Sequence, residues 1–253
     1  MTIPASVAII AYNEEKRIRA CLESLKDFSE IVIVLDTRTN DATEAIAREF
    51  GCEIFRERWK GFGPQKQNAV EKCSNEWVLI IDCDEVLPAE TAHAISSAII
   101  NPISPSVGAY SFPRKNYLHG RWMRHGDFWP DRQTRLVRRG HGKFNSIVHE
   151  SWAPDAGRIT ALDCPIEHRP FENYADMLET LNNYSTLIAE DLFARGKRTG
   201  AIAPFSHASW MFFRTYFVKM GLLDGFDGFV SAALKAGGSF FKYAKLLELQ
   251  RSH

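Results

Sequence analysis

Three carboxylates stand where short apolar runs end, and their placement sets out the chemistry open to this chain. Asp36 closes IVIVLD, Asp82 closes WVLIID, and Asp84 follows two residues later in IIDCDE. A carboxylate at the end of a buried strand can accept hydrogen bonds from a nucleobase N–H or from ribose hydroxyls. A second carboxylate just beyond the strand can hold a hard divalent cation that bridges phosphate oxygens. The cation then neutralises the charge that develops on a diphosphate leaving group. An Asp-X-Asp pair alone is common on protein surfaces. Here the pair follows one apolar run directly and Asp36 ends another, a conjunction that outweighs a solvated acidic loop.

The elements that must position these acids alternate in type. Ser6 to Ala11 reads as a strand. Asn13 follows as a helix cap, with Ile18, Cys21, Leu22 and Leu25 at helical spacing. Ile31 to Asp36 is a β-branched run of the buried parallel kind. Asp41 caps a helix carrying Ala45, Ile46 and Phe50, and Cys52 to Phe55 is a third strand. Pro64 opens a helix through Cys73, Trp77 to Asp82 is a fourth strand, and Pro88 starts a helix to Ile100. This order predicts an α/β fold with a doubly wound, mostly parallel sheet whose ligand crevice lies beyond the strand C-termini. Further strands are expected at Val107–Pro113 and Thr134–Val137, joined by a long loop with Trp122, Trp129 and Arg132. Tyr174 to Ala194 reads as a helix with Leu178, Leu181, Leu187, Ile188 and Leu192 turned inward. Residues 1–200 are expected to form the catalytic domain and 201–253 a helical extension.

Composition narrows the partners. Thirty-one basic residues balance thirty-one acidic ones, so no global field points to nucleic acid. The charge is nevertheless zoned. Arg114 to Lys143 carries nine Lys/Arg against Asp127 and Asp131, and Arg195 onward carries nine against three acids. Both zones suit an anionic ligand or surface. Five cysteines with no CxxC pair argue against a disulfide framework and fit a reducing compartment. The start lacks a signal-peptide pattern, and no stretch is apolar enough to span a bilayer. A cytoplasmic address is therefore expected.

The segments SVAIIAYNEEKRIRACLESL, IVIVLDTRTNDAT, GFGPQKQNAV, WVLIIDCDEVL, DRQTRLVRRG and IVHES, with IEHRPFENY and the LDGFDGFV tail matching more loosely, run in order through nearly the whole chain. Together they resemble the family 2 glycosyltransferases of GT-A fold, close to the lipopolysaccharide inner-core β-1,4-glucosyltransferases. The resemblance implies an inverting transferase that moves glucose from a UDP-sugar to a heptose hydroxyl, with Mg2+ or Mn2+ as cofactor. It implies that Ala11, Tyr12, Asn13 and Glu14 lie under the nucleoside and that Asp36 binds the base. Lys66 reaches the base or pyrophosphate, and Asn68 shapes the pocket. Asp82 meets the ribose or a metal-bound water, and Asp84 the metal. Inversion needs a base on the acceptor side of the sugar. Glu150 is expected in that role beside His149, with Asp127 and Asp131 as rivals. His168 is a candidate metal ligand. Arg132 and Arg135 are candidate phosphate clamps, since neighbouring arginines in a strand alternate faces and Arg138 and Arg139 cannot both join them.

The last fifty residues mix Trp210, Phe212, Phe213, Tyr216 and Phe217 with Arg214 and Lys219, and Phe240, Phe241 and Leu247 with Lys242 and Lys245. Such a mixture suits either packing on the protein or peripheral attachment to an anionic membrane, here the inner face of the inner membrane. Two other readings stay open. The same fold could serve a polyprenyl phosphate or other glycan acceptor, or the chain could be a non-catalytic sugar-nucleotide or membrane-binding module.

Overall fold

The computed structural model describes residues 2–102, 104, 106–144 and 151–252. The strands and helices in chain order are β1 (Ile3–Ala11), α1 (Ile18–Glu23), β2 (Phe28–Asp36), α2 (Thr43–Glu49), β3 (Glu53–Glu57), α3 (Phe62–Lys72), β4 (Trp77–Ile80) and β5 (Glu85–Val86). After them come α4 (Ala89–Ile100), β6 (Val107–Leu118), β7 (Arg121–Trp122), β8 (Asp131–Arg138), β9 (Gly142–Phe144), β10 (Trp152–Pro154), β11 (Arg158–Ala161) and β12 (Ile166–His168). The chain ends in α5 (Tyr174–Ala194), α6 (Ala203–Phe213), a π-helical turn at Arg214–Val218, a 3-10 turn at Gly221–Asp224, and α7 (Gly225–Ser252). It divides into two units: Met1–Arg114 with Arg132–His168, and Lys115–Asp131 with Arg169–His253. The division therefore differs from the expected boundary after residue 200, because α5 packs along α7 and belongs with the C-terminal helices.

The first unit is built on a sheet ordered β3-β2-β1-β4-β8-β6-β12-β5, with β11 alongside β6. Strands β1 to β4 pair in parallel, and β8 runs antiparallel to β4. Side-chain alternation sends each strand to two cores. Ile9, Ile33, Leu35, Leu79 and Ile81 pack with Ile18, Leu22 and Ile95. Ala8, Val32, Val34, Val78 and Ile80 pack with Ala69 and Val70 of α3. Both faces are covered, which is why these strands read as unbroken apolar runs. Each fully buried Ile or Leu contributes roughly 1.5–3 kcal/mol. Strand order reverses at β1, which has β2 on one side and β4 on the other. At such a reversal the connections leave in opposite directions and open a crevice beyond the carboxyl ends.

Two local expectations are corrected. Asn13 is not a helix cap. It sits in the left-handed region at φ 52°, its Oδ1 accepts the Asn40 N–H at 3.0 Å, and Arg17 precedes α1. Asn tolerates this conformation because its short polar side chain can bond locally. Helix α3 begins at Phe62, so Pro64 is its third residue rather than its opening.

In the second unit α5 lies against α7 through Met177, Ser185 and Ala189, not through the full leucine set. Leu178 and Leu187 are exposed. Leu181 does pack inward, in van der Waals reach of a Cβ at Gly237 or Gly238. Polar α5 residues face inward where Lys245 of α7 donates to Asn182 O, Ser185 Oγ and Thr186 Oγ1 at 2.7–2.9 Å. A small core of Leu118, Met123 and Met177 is completed by Phe128, Phe171, Tyr174 and Leu234.

Candidate active site

The candidate site belongs to the first unit, at the carboxyl ends of β1, β2 and β4. Register places Ala11 opposite Leu35, so Tyr12 and Asp36 leave neighbouring strands at the same level. On the other side Ala8 pairs with Ile80, and the chain continues into Asp82 and Asp84. Four acids from three separate stretches of the sequence, counting Glu14, are thereby gathered at one end of the sheet.

The loop after β1 is laced to the loop after β2. Glu14 N–H donates to Thr43 Oγ1 at 2.7 Å, Glu15 N–H to Asp41 Oδ2 at 3.1 Å, and Ala42 N–H to Glu15 Oε2 at 3.0 Å. Asp41 also accepts the Thr43 N–H at the start of α2. Asp36 is buried and takes both the backbone N–H and the guanidinium of Arg38, the latter at 2.6 Å. Those bonds hold its carboxyl below the usual carboxylate range. Arg38 itself is exposed and lies 5.0 Å from the ring of the exposed Tyr12. Burial pushes the Glu14 carboxyl up to about 7 against the lowering influence of Arg17, with Asp84, Asp41 and Asp82 adding to the rise.

The Asp-X-Asp segment is a tight turn tied at both ends. Glu85 N–H donates to Asp82 O at 2.9 Å, and Asp82 N–H donates back to Glu85 Oε2 at 3.0 Å. Asp82 receives Lys66 Nζ at 2.9 Å and Arg135 Nη2 at 2.7 Å. Burial alone would raise its pKa, but Arg135 and Lys66 overcome that and hold the carboxyl well below its ordinary value. Arg135 also donates to Glu85, which is fully buried and meets Arg114 at 3.3 Å. Burial would lower the Arg135 pKa, but Asp82 and Glu85 raise it further, so its charge is secure.

Asp84 stands apart from this network. His168 Nε2 is 3.3 Å from its Oδ2, a pairing made possible because β12 runs antiparallel to β5 with His168 opposite Glu85. Burial works to raise the Asp84 carboxyl, but its bond with His168 keeps it below the usual range. Its other oxygen, Oδ1, is buried with no hydrogen-bond partner among the described residues. A buried carboxylate oxygen without a donor is costly unless a cation or water completes it. Among the described residues no group of three or more His, Cys, Asp or Glu could cage a metal. One carboxylate and one imidazole instead fit a cation whose remaining ligands are phosphate and water.

The structure brings Tyr12, Asn13, Glu14, Asp36, Lys66, Asp82, Asp84, Arg135 and His168 to this end of the sheet. It does not bring Arg132 with Arg135. Three positions apart on β8 they point to opposite faces, and Arg132 donates to Ser111 O, Leu162 O and Asp163. Of the two candidate phosphate clamps, only Arg135 therefore lies beside the carboxylates. Asn68 lies two residues beyond Lys66 on α3, where it helps hold the Glu57 carboxyl down at about 2, followed in effect by Lys60 and Lys72. Glu150 and His149 lie outside the described residues. Asp127, a rival base, is paired with Arg214 at 2.7 Å in the second unit, and Asp131 accepts from Asn116 at 3.2 Å.

Four residues were missed. Glu85 is the third acid of DCDE, and its signal was in plain view. Arg38 and Arg114 had none beyond charge. Gln65, beside Lys66, is buried with both side-chain polar atoms lacking a hydrogen-bond partner among the described residues.

Comparison with known proteins bears on this geometry. A family model described as Glycosyl transferase family 2 matches residues 6–151. The chain is 31% identical over 254 residues to the lipopolysaccharide core biosynthesis glycosyltransferase LpsC of Rhizobium meliloti, covering 97% of this chain and 93% of that protein. An uncharacterized glycosyltransferase of Rickettsia bellii is 30% identical over 259 residues, or 98% of this chain and 88% of its own. The mannosyltransferase PcManGT from Pyrobaculum calidifontis, solved in complex with GDP-Man and Mn2+, matches with a TM-score of 0.51 at 14% identity, over 100% of this chain and 76% of that one. S. aureus TarS 1-349 in complex with UDP-GlcNAc matches with a TM-score of 0.50 at 17% identity, over 100% and 92%. The two structures speak for the GT-A fold, and the match over more than half the chain speaks for the family. This chain belongs to glycosyl transferase family 2.

Proposed function

We propose that this glycosyltransferase moves a hexose, glucose foremost, from a UDP-sugar to a heptose hydroxyl of the lipopolysaccharide core by a single inverting displacement. The observation that carries the reading is the half-buried Asp84 carboxylate, with one oxygen against His168 and the other buried without a donor. That arrangement fits Mg2+ or Mn2+, which when bound would neutralise charge on the departing diphosphate. Ala11 to Glu14 and Asp36 cradle the nucleoside, and Asp82 meets the ribose. Lys66 and Arg135, already flanking Asp82, lend positive charge beside the pyrophosphate. Glu150 takes the proton of the attacking hydroxyl from the acceptor side. The core acceptor is supported by the name of the Rhizobium relative, which covers nearly the whole chain.

A donor screen tests this, using lipopolysaccharide truncated after its heptoses, with Mn2+, Mg2+ or chelator, read by product mass. Addition of one hexose, dependent on cation, is expected. Asp84→Asn should lower turnover about a thousandfold while leaving the circular dichroism unchanged. Glu150→Gln should abolish transfer but spare UDP binding. If that variant stays active on a polyprenyl phosphate, the acceptor is an already ionised phosphate. Absence of turnover with every donor would leave a binding module.

A further inference from the structure

Large exposed apolar side chains are concentrated in the second unit. Of nineteen among the described residues, twelve lie from Ile202 onward. The densest group is Trp210, Phe213, Phe217, Leu223, Phe226 and Phe229, carried by α6, the two short turns and the start of α7. The aromatic rings form one continuous surface. Trp210 to Phe213 is 6.0 Å between ring centres, Phe213 to Phe217 is 5.5 Å, and Phe226 to Phe229 is 6.4 Å. Phe212 links the two groups, 6.4 Å from Phe217 and 5.8 Å from Phe229. A connected patch of this kind is rarely left to water.

The turn that carries Leu223 is fixed in place. Asp224 is buried and accepts the N–H groups of Arg124 and His125 at 3.1 and 2.8 Å, which clamps the 3-10 turn. Gly228 approaches Gly221 so closely that a Cβ there would lie 1.9 Å from the Gly221 carbonyl oxygen. Met220 at φ 57° and Gly225 at φ 64° fix the two reversals of the chain. Leu222 and Leu223, between those points, are held outward by backbone geometry.

Charge identifies the occupant. Nine basic residues face three acids from Arg195 onward. Two of those acids are engaged, Asp224 with His125 and Asp227 with Tyr174 and His119, as are Arg214 with Asp127, Lys235 with Gly126 O and Lys245 with α5. Lys219 stands exposed inside the apolar patch, 3.7 Å from Asp127, and Lys197 and Arg198 are exposed just before α6 beside Arg195, which pairs with Asp191. A second copy of this chain would set these cations against one another, whereas an anionic surface would attract them. No helix among the described residues is long and apolar enough to cross a membrane. The 11-residue α6 suits lying in the interfacial plane instead.

We propose that this aromatic face docks on the surface of an anionic lipid bilayer, with Phe217, Leu223 and Phe226 entering the headgroup boundary and Lys219 meeting lipid phosphates. The inference is independent of the transferase reading, since vesicle binding and sugar transfer are measured separately. The test is co-sedimentation of the full chain with phosphatidylcholine vesicles, with and without an equal part of phosphatidylglycerol. Binding to the mixed vesicles and little to the neutral ones is expected. Phe217→Ser/Leu223→Ser/Phe226→Ser should weaken binding by roughly tenfold or more, and Lys219→Glu by about fivefold. Circular dichroism and hydrodynamic radius verify that each variant is folded, and Lys219→Glu alone decides the matter if the triple variant is not. Equal binding by the folded variants and the parent would overturn the proposal, as would equal binding to neutral vesicles. So would a dimer of the parent that the triple variant dissolves into monomers.

Discussion

At the scale of single residues, the site combines groups that satisfy one another with groups that do not. Asp82, Lys66, Arg135 and Glu85 are mutually paired, so their charges are compensated before any ligand arrives. Asp84 Oδ1, the Gln65 amide, Asn68 Nδ2 and Arg135 Nε are buried without a hydrogen-bond partner among the described residues. An unsatisfied buried amide costs about 1–3 kcal/mol, and replacing it with an apolar group of similar shape recovers part of that. Gln65→Leu is therefore expected to stabilise the unliganded protein by about 1 kcal/mol. If the amide awaits the nucleotide, the same variant loses most of the thermal shift that UDP produces. Thermal denaturation with and without UDP measures both effects. A destabilised variant with an unchanged UDP shift would assign Gln65 to packing alone.

At the scale of elements, β8 turns alternation into a division of labour. Arg135 points to a buried network, while Arg132 on the other face holds Asp163, whose side chain is almost wholly in water. Removing one partner from a buried ion network costs about 3–5 kcal/mol, and an exposed pair contributes roughly 0–1 kcal/mol. Arg135→Met should therefore lower stability by about 3 kcal/mol and Arg132→Met by less than about 1 kcal/mol, as read from urea midpoints. Comparable losses from both would contradict this division. The β9–β10 pair has its own constraint. A Cβ at Gly142 would lie 2.4 Å from both Ala153 O and the Trp152 ring. Gly142→Ala should cost about 1–3 kcal/mol. Urea denaturation of the variant and the parent measures that loss.

At the scale of the whole molecule, two acids impose opposite pH slopes on stability. Asp82 has its folded pKa depressed, so its contribution is present above the ordinary carboxylate range and is lost as the solution is acidified. Glu14 has its folded pKa raised from 4.5 to about 7, so the folded state favours its protonated form. Its contribution is full below 4.5 and is lost as pH rises to about 7. Glu14→Gln removes that second slope. Its melting temperature relative to the parent should climb between those limits and level off above them. A difference independent of pH would mean that Glu14 is not buried as described. Together the two carboxylates confine greatest stability to mildly acidic conditions in the absence of cation.

Much of the first unit was legible without coordinates. Parallel strands covered on both faces must be continuously apolar, and the carboxylates at their ends interrupt that pattern, so Asp36, Asp82 and Asp84 declared themselves. The helix at Tyr174–Ala194 was likewise readable from its period. Other features depended on which faces meet. Leucine spacing on α5 could not reveal that Ser185 and Ala189, rather than Leu178 and Leu187, lie against α7, because periodicity names a stripe and not its partner. The sequence could propose His168 as a ligand, but only the antiparallel pairing of β12 with β5 sets it beside Asp84. Glu85 and Arg135 became one network through strand pairings that join residues fifty positions apart. Local pattern reports what each segment can bury, and contact between distant segments is decided only when the sheet closes around them.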